Sequence, residues 1–166
     1  MRKLIVGLGI LSTAILLICA SGVIYASRLK PIEPPVTVQP LNATIVFNLV
    51  NKERVKAGLK PLVRDARLDA STQAKADDMV KYNYFDHVRD GKHGYQYVFD
   101  YAPNQCSYAS ENISIMNDPS GDNNADTVIG WMNSKPHHDA MLNPDYTLTG
   151  IAINDNKVVQ HFCITK

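Results

Sequence analysis

The chain has 166 residues and a mass of 18.4 kDa; 45% of the residues are apolar, 8% aromatic and 20% charged. That is room for one domain with a short appendage, and the composition excludes a disordered chain or a collagen-like repeat. Of the 17 basic residues, Arg2, Lys3, Arg28 and Lys30 flank one apolar stretch; without them 13 basic residues face 16 acidic ones, a net charge of −3 that argues against a nucleic-acid partner.

Residues 4–27 carry no charge and are dominated by Leu, Ile, Val, Ala and Gly. As a helix this stretch would reach roughly 36 Å, enough to cross a bilayer. It exceeds the roughly 7–15-residue apolar centre of a cleaved secretory signal, so residues 1–30 read as a signal anchor or transmembrane helix. Cleavage near Ser21 or Ala26, releasing a secreted body, is the alternative. Cys19 lies where a lipoprotein signal would place its acylated cysteine, but Ile18 stands where a small residue belongs, which disfavours lipidation. Either way the body is expected outside the cytoplasm. Cys106 and Cys163 are its two thiols, and a lone pair behind such a segment reads as one disulfide.

Residues 31–40 (PIEPPVTVQP) hold four prolines and are expected to form an extended linker to a domain over residues 41–166. Within it, Ile45 and Leu49, and Val46 and Val50, stand four apart, with Gly58 as a stop and Pro61 beyond, which predicts a helix from Asn42. A second, Ala-rich helix is predicted from Asp65 to about Tyr82, with Leu68, Thr72, Ala76 and Met79 in register. Residues 83–110 read as irregular, with a helical turn near Tyr95–Tyr101. A strand is expected over residues 112–116, a loop over 118–124 and a third helix over 125–134. Two strands, over residues 147–154 and 157–165, close the chain around a turn at Asn154-Asp155-Asn156. This order predicts an α+β domain with helices covering a small antiparallel sheet.

Three ionisable side chains sit where the chain enters or leaves a regular element: His87 in YFDHVRDG, Glu111 in ASENISI and His137 in SKPHHDAML. Two imidazoles and a carboxylate are a ligand set for a divalent cation and also an acid–base catalytic set. They lack the short spacing of HExxH, so only the fold can bring them together; separately they would cap a loop, pair with a Lys or Arg, and cap a helix. Tyr95, Tyr97, Phe99 and Tyr101 alternate along the chain, as residues lining a ligand groove or packing half-buried on the sheet would.

The blocks LVNKERVKAGLKPL, MVKYNYFDHVRDG, SENISI, WMNSKPHHDAML, and TGIAI with VVQHFC, taken in this order, resemble the bacterial branch of the CAP superfamily, also called the SCP domain. The resemblance covers residues 41–163. It implies a three-layer α-β-α sandwich whose cleft presents the family's His, Glu and His at His87, Glu111 and His137. The bacterial pattern Ser-Pro-Gly-His-Arg places His137, not His138, on the cleft histidine, and His93 lacks the Tyr84-Phe85 context that precedes His87. Ser134 stands where many eukaryotic members have a second cleft glutamate, which leaves three cleft residues here.

Together these readings predict a membrane-tethered, extracytoplasmic domain. Its cleft would bind Zn²⁺ or another divalent cation and a lipid or envelope ligand, as members of the family have been linked to lipid binding and cell-surface interactions. A metal-dependent hydrolase of peptide or cell-wall substrates, using the same three residues, is the competing expectation.

Overall fold

The computed structural model describes residues 40–117 and 121–166. The anchor expected over residues 1–30 and the linker up to residue 39 lie outside them. No helix among the described residues is long and apolar enough to cross a membrane.

Helix α1 (Ala43–Lys56) starts where the Asn42 carboxamide accepts from the Thr44 and Ile45 amides, and it stops before Gly58, whose φ of +77° a side chain would disfavour. Strand β1 (Val63–Arg64) leads into α2 (Ala66–Lys81), capped by Asp65. A small hairpin of β2 (Val88–Arg89) and β3 (Lys92–His93) turns through Asp90 and Gly91, both at positive φ, into α3 (Gln96–Tyr101). Strand β4 (Cys106–Ile115), helices α4 (Asn123–Asn133) and α5 (Lys135–Met141), and the hairpin β5 (Leu148–Asn154) and β6 (Lys157–Thr165) complete the chain.

The main sheet runs β1-β5-β6-β4, with β6 antiparallel to both neighbours. It is mixed rather than wholly antiparallel, because Val63 and Arg64 pair in parallel with Leu148 and Thr149. This two-residue strand has no period for the sequence to display.

Strand β6 is buried on both faces, and its side chains sort by parity. Val158 and Phe162 join Val46, Val50, Trp131 and Met141, from α1, α4 and α5, in one core. Val159 packs with Ala76 and Met79 of α2, and Cys163 with Leu68 and the α3 residue Val98. Helices therefore cover both faces, giving the three layers that the family resemblance implied. The Cys106–Cys163 disulfide, with Cα atoms 5.5 Å apart, ties β4 to β6 inside the second layer.

Strand β4 begins six residues before the expected strand, in a segment whose Ser107 and Tyr108 are exposed and show no apolar alternation. The aromatic run is helical, so its alternation is not a groove face: Tyr95 and Phe99 pack on the core, Tyr97 lies under Lys92, and Tyr101 is exposed.

Candidate functional site

Strand β4 is an edge strand, and the site is assembled over that edge from both faces of the sheet. On the α2 side, the loop after α2 carries His87, whose Nδ1 lies 2.8 Å from Glu111 Oε1. On the other side, α5 carries His137, and its main-chain oxygen accepts from the Asn112 carboxamide at 3.1 Å. The two rings meet with centroids 6.0 Å apart. The structure thus brings His87, Glu111 and His137 to one place. His138 lies against Asp139, and His93 stacks on Tyr95.

The turn between α4 and α5 explains the placing of His137. Ser134 adopts extended backbone (φ −105°, ψ 112°), which breaks the helix, and Pro136 lies in the first turn of the next one. The Ser134 hydroxyl stands 2.9 Å from His137 Nδ1. Ser134 therefore orients the histidine.

Glu111 is nearly sealed, its side chain only 2% exposed, while the His87 side chain is 46% exposed. Its second oxygen lies 3.0 Å from Nε2 of His161, a wholly buried histidine on β6 directly opposite it, and Ser71 of α2 stands 2.8 Å from His161 Nδ1. Burial pushes the Glu111 carboxyl upward, but the hydrogen bonds from His161 and His87, with the Lys75 charge, outweigh it and hold the carboxyl below its usual range. An ionised Glu111 can only accept. His87 therefore presents Nδ1–H and His161 presents Nε2–H to the carboxylate, and His87 Nε2 is left out of this contact.

Lys75 is buried too, with Nζ donating to the Asp86 main-chain oxygen at 2.7 Å and to Tyr84 Oη at 3.1 Å; burial lowers its pKa, opposed chiefly by the charge of Glu111. Gly94 is packed so closely that a Cβ there would lie 1.9 Å from Glu111 Oε2. For His137, burial and then the nearby His87 lower the pKa, favouring the neutral ring.

Both oxygens of Glu111 are engaged by imidazoles, so the carboxylate stands behind His87 and fixes its tautomer, as an outer-shell group does for a metal ligand. Among the described residues no group of three or more His, Cys, Asp and Glu side chains is arranged to hold a metal ion. What the site offers a cation is two imidazoles, His87 and His137, each with Nδ1 hydrogen-bonded. That donor set fits a borderline-soft ion such as Zn²⁺ with other positions left to water or ligand.

Sequence reasoning missed His161, Ser71 and Lys75. The signal was a polar residue at a position due to be buried: His161 within the apolar run VVQHFC, and Ser71 and Lys75 beside the Leu68, Thr72, Ala76 and Met79 stripe. A hollow of about 420 Å³ lies elsewhere, lined among others by Arg64, Asp69 and Ile153, and includes none of His87, Glu111, His137 and His161.

The Cysteine-rich secretory protein (CAP) family matches over residues 47–165. The Bacillus subtilis protein YkwD, described as uncharacterized, is 40% identical over 110 residues, covering 64% of this chain and 40% of that protein. The uncharacterized membrane protein YlbC of the same species is 29% identical over 127 residues, 75% of this chain and 35% of that protein. The chain thus spans well under half the length of these relatives.

Among solved structures, an extracellular protein containing an SCP domain from Bacillus anthracis superposes with a TM-score of 0.63 at 26% identity, over 73% of this chain and 39% of that one. An outer surface protein of Borrelia burgdorferi gives 0.66 at 19% identity, over 78% of this chain and all of its own, a likeness of fold alone. With most of the domain matched in sequence and its layers matched in structure, the chain belongs to the cysteine-rich secretory protein, or CAP, family.

Proposed function

We propose that this chain is a membrane-tethered, extracytoplasmic CAP domain that binds a divalent cation, Zn²⁺ or a similar ion, between His87 and His137. The observation that carries the reading is the pairing of two adjacent imidazoles whose Nδ1 atoms are held by Glu111 and Ser134, so that both Nε2 atoms are left for a ligand. Bound there, the ion would supply a Lewis-acidic centre with open positions for water or for an oxygen of an envelope ligand, lipid included. The buried disulfide, the extracellular and outer-surface structural neighbours and a relative named as a membrane protein support the placement outside the cytoplasm.

Hydrolysis, the competing expectation, would need a general base beside the ion. Glu111 commits both oxygens to histidines, and no observation favours this second reading. Calorimetric titration of Zn²⁺ into the full chain and into its His87→Ala and His137→Ala variants tests the proposal. Each variant is expected to bind at least about tenfold more weakly; equal affinity in all three would refute it.

A further inference from the structure

At the two outer edges of the main sheet, alternate residues turn main-chain groups away from the ladder. On β5, the main-chain oxygen of Thr149 accepts from Asp65 of the β1 side, so odd-numbered residues of β5 turn their polar main-chain groups away from β6. Beyond the short β1, the exposed groups of Ile151 are met by side chains: its N–H donates to Asp69 at 3.0 Å and its C=O accepts from Arg64 at 3.2 Å. At Ile151, therefore, side chains cover that edge.

The same parity carries across β6 to β4. Gly150 faces His161, so His161 directs its main-chain groups to β5, and its partner Glu111 directs its own off the sheet at the outer edge of β4. The Trp131 indole confirms this two residues along, donating to the outward oxygen of Ile113 at 3.0 Å. Ala109, the next outward residue in the other direction, is buried. Between them, the Glu111 N–H and C=O have no hydrogen-bond partner among the described residues. Glu111 is partly exposed as a residue although its side chain is sealed, so the accessible part is its main chain.

We infer that this window binds an extended polypeptide segment, one residue of which pairs antiparallel with the Glu111 N–H and C=O as an added strand. A paired donor and acceptor on one edge residue is the complement of a peptide main chain, and β-strand addition is the recognition mode that supplies it. A lipid tail offers neither group. The window lies between the anchor points of His87 on Glu111 and of His137 on Asn112, so a docked segment would run past both imidazoles. The inference deepens the reading above and rests on it for the cation, naming a peptide as the ligand class of the same site. Ala109 on one side is covered and the Ile113 oxygen on the other is taken, so Glu111 is the outward residue beside the imidazoles that offers both its N–H and its C=O.

Amide hydrogen exchange on the full chain tests it. In the free protein the Glu111 amide is expected to exchange far faster than those of Ser110 and Asn112, which lie in the ladder. A random library of acetylated hexapeptide amides at millimolar total concentration should slow Glu111 exchange by about tenfold or more while leaving Ala109 and Ile113 unchanged. The same library with N-methylated backbones should have no effect.

Unchanged exchange at Glu111, equal protection by the methylated library, or protection that grows with protein concentration when no peptide is added, which would assign the edge to a second copy, would each overturn the inference. Zn²⁺ titrated into the same samples separates the two readings. Zinc uptake without peptide protection removes this inference alone, and peptide protection without zinc uptake upholds it while removing the cation reading.

Discussion

A carboxylate as deeply placed as Glu111 stays ionised only because donors surround it, and each neighbour is specific to that task. Gly94 is required by space: a Cβ there would overlap the carboxylate itself, at 1.9 Å from Oε2. Gly94→Ala is therefore expected to push Glu111 off His87 and to cost about 1–3 kcal/mol in urea unfolding, with loss of the hydrogen-bonded His87 Nδ1 proton signal in NMR. An unchanged midpoint and signal would show that the contact is soft.

His137 makes a second prediction at this scale. Its pKa is lowered by burial and by His87, so the folded ring binds its proton below the ordinary 6.5. The stability it contributes is present above about pH 6.5 and is lost as pH falls through the depressed folded value, because the unfolded chain takes up the proton first. A neutral ring is also what a cation needs. Zn²⁺ affinity measured from pH 7.5 downward should hold to about pH 6.5 and then fall; affinity still level at pH 5 would argue against imidazole ligation.

Among elements, the clearest packing constraint is α2 against β5. Gly150 sits against the start of α2, where a Cβ would come within 2.1–2.4 Å of the main chain of Leu68 and Asp69, whereas Gly130 in α4 has nothing within 4 Å. Gly150→Ala is expected to destabilise by about 3 kcal/mol, and Gly130→Ala to stabilise by up to about 1 kcal/mol through helix propensity. Equal effects of the two in thermal or urea unfolding would contradict this account of the interface.

The same scale shows what the sequence made legible. Helices α1 and α2 were readable because Asn42 and Asp65 cap them and their buried residues recur at helical spacing. The first half of β4 was not, since an edge strand with Ser107 and Tyr108 exposed carries little apolar pattern, and β1 is too short to have one. His87, Glu111 and His137 could be named from the family's blocks. Their partners His161 and Lys75 could not, because a buried polar residue makes sense only once the group it faces across the fold is known.

For the whole molecule, the Cys106–Cys163 disulfide joins the two strands that carry Glu111 and His161, across a sequence separation of 57. Closing a loop of that length contributes about 4 kcal/mol in the chain-entropy model. The Cys106→Ala/Cys163→Ala variant should lose a comparable amount in urea unfolding; retention of full stability would mean that the layered core alone holds β4 in place. Membership of the CAP family accounts for the layers, while the chemistry depends on how β4 is used as an edge: one histidine reaches it from each face, and a buried carboxylate and a serine hold the two rings.

Zn²⁺ calorimetry on the full chain beside His87→Ala and His137→Ala asks most directly whether that edge is a cation site. Binding in the parent is expected to weaken at least about tenfold in either variant. A parent chain that takes up no zinc at neutral pH, or variants that bind as tightly as the parent, would contradict it.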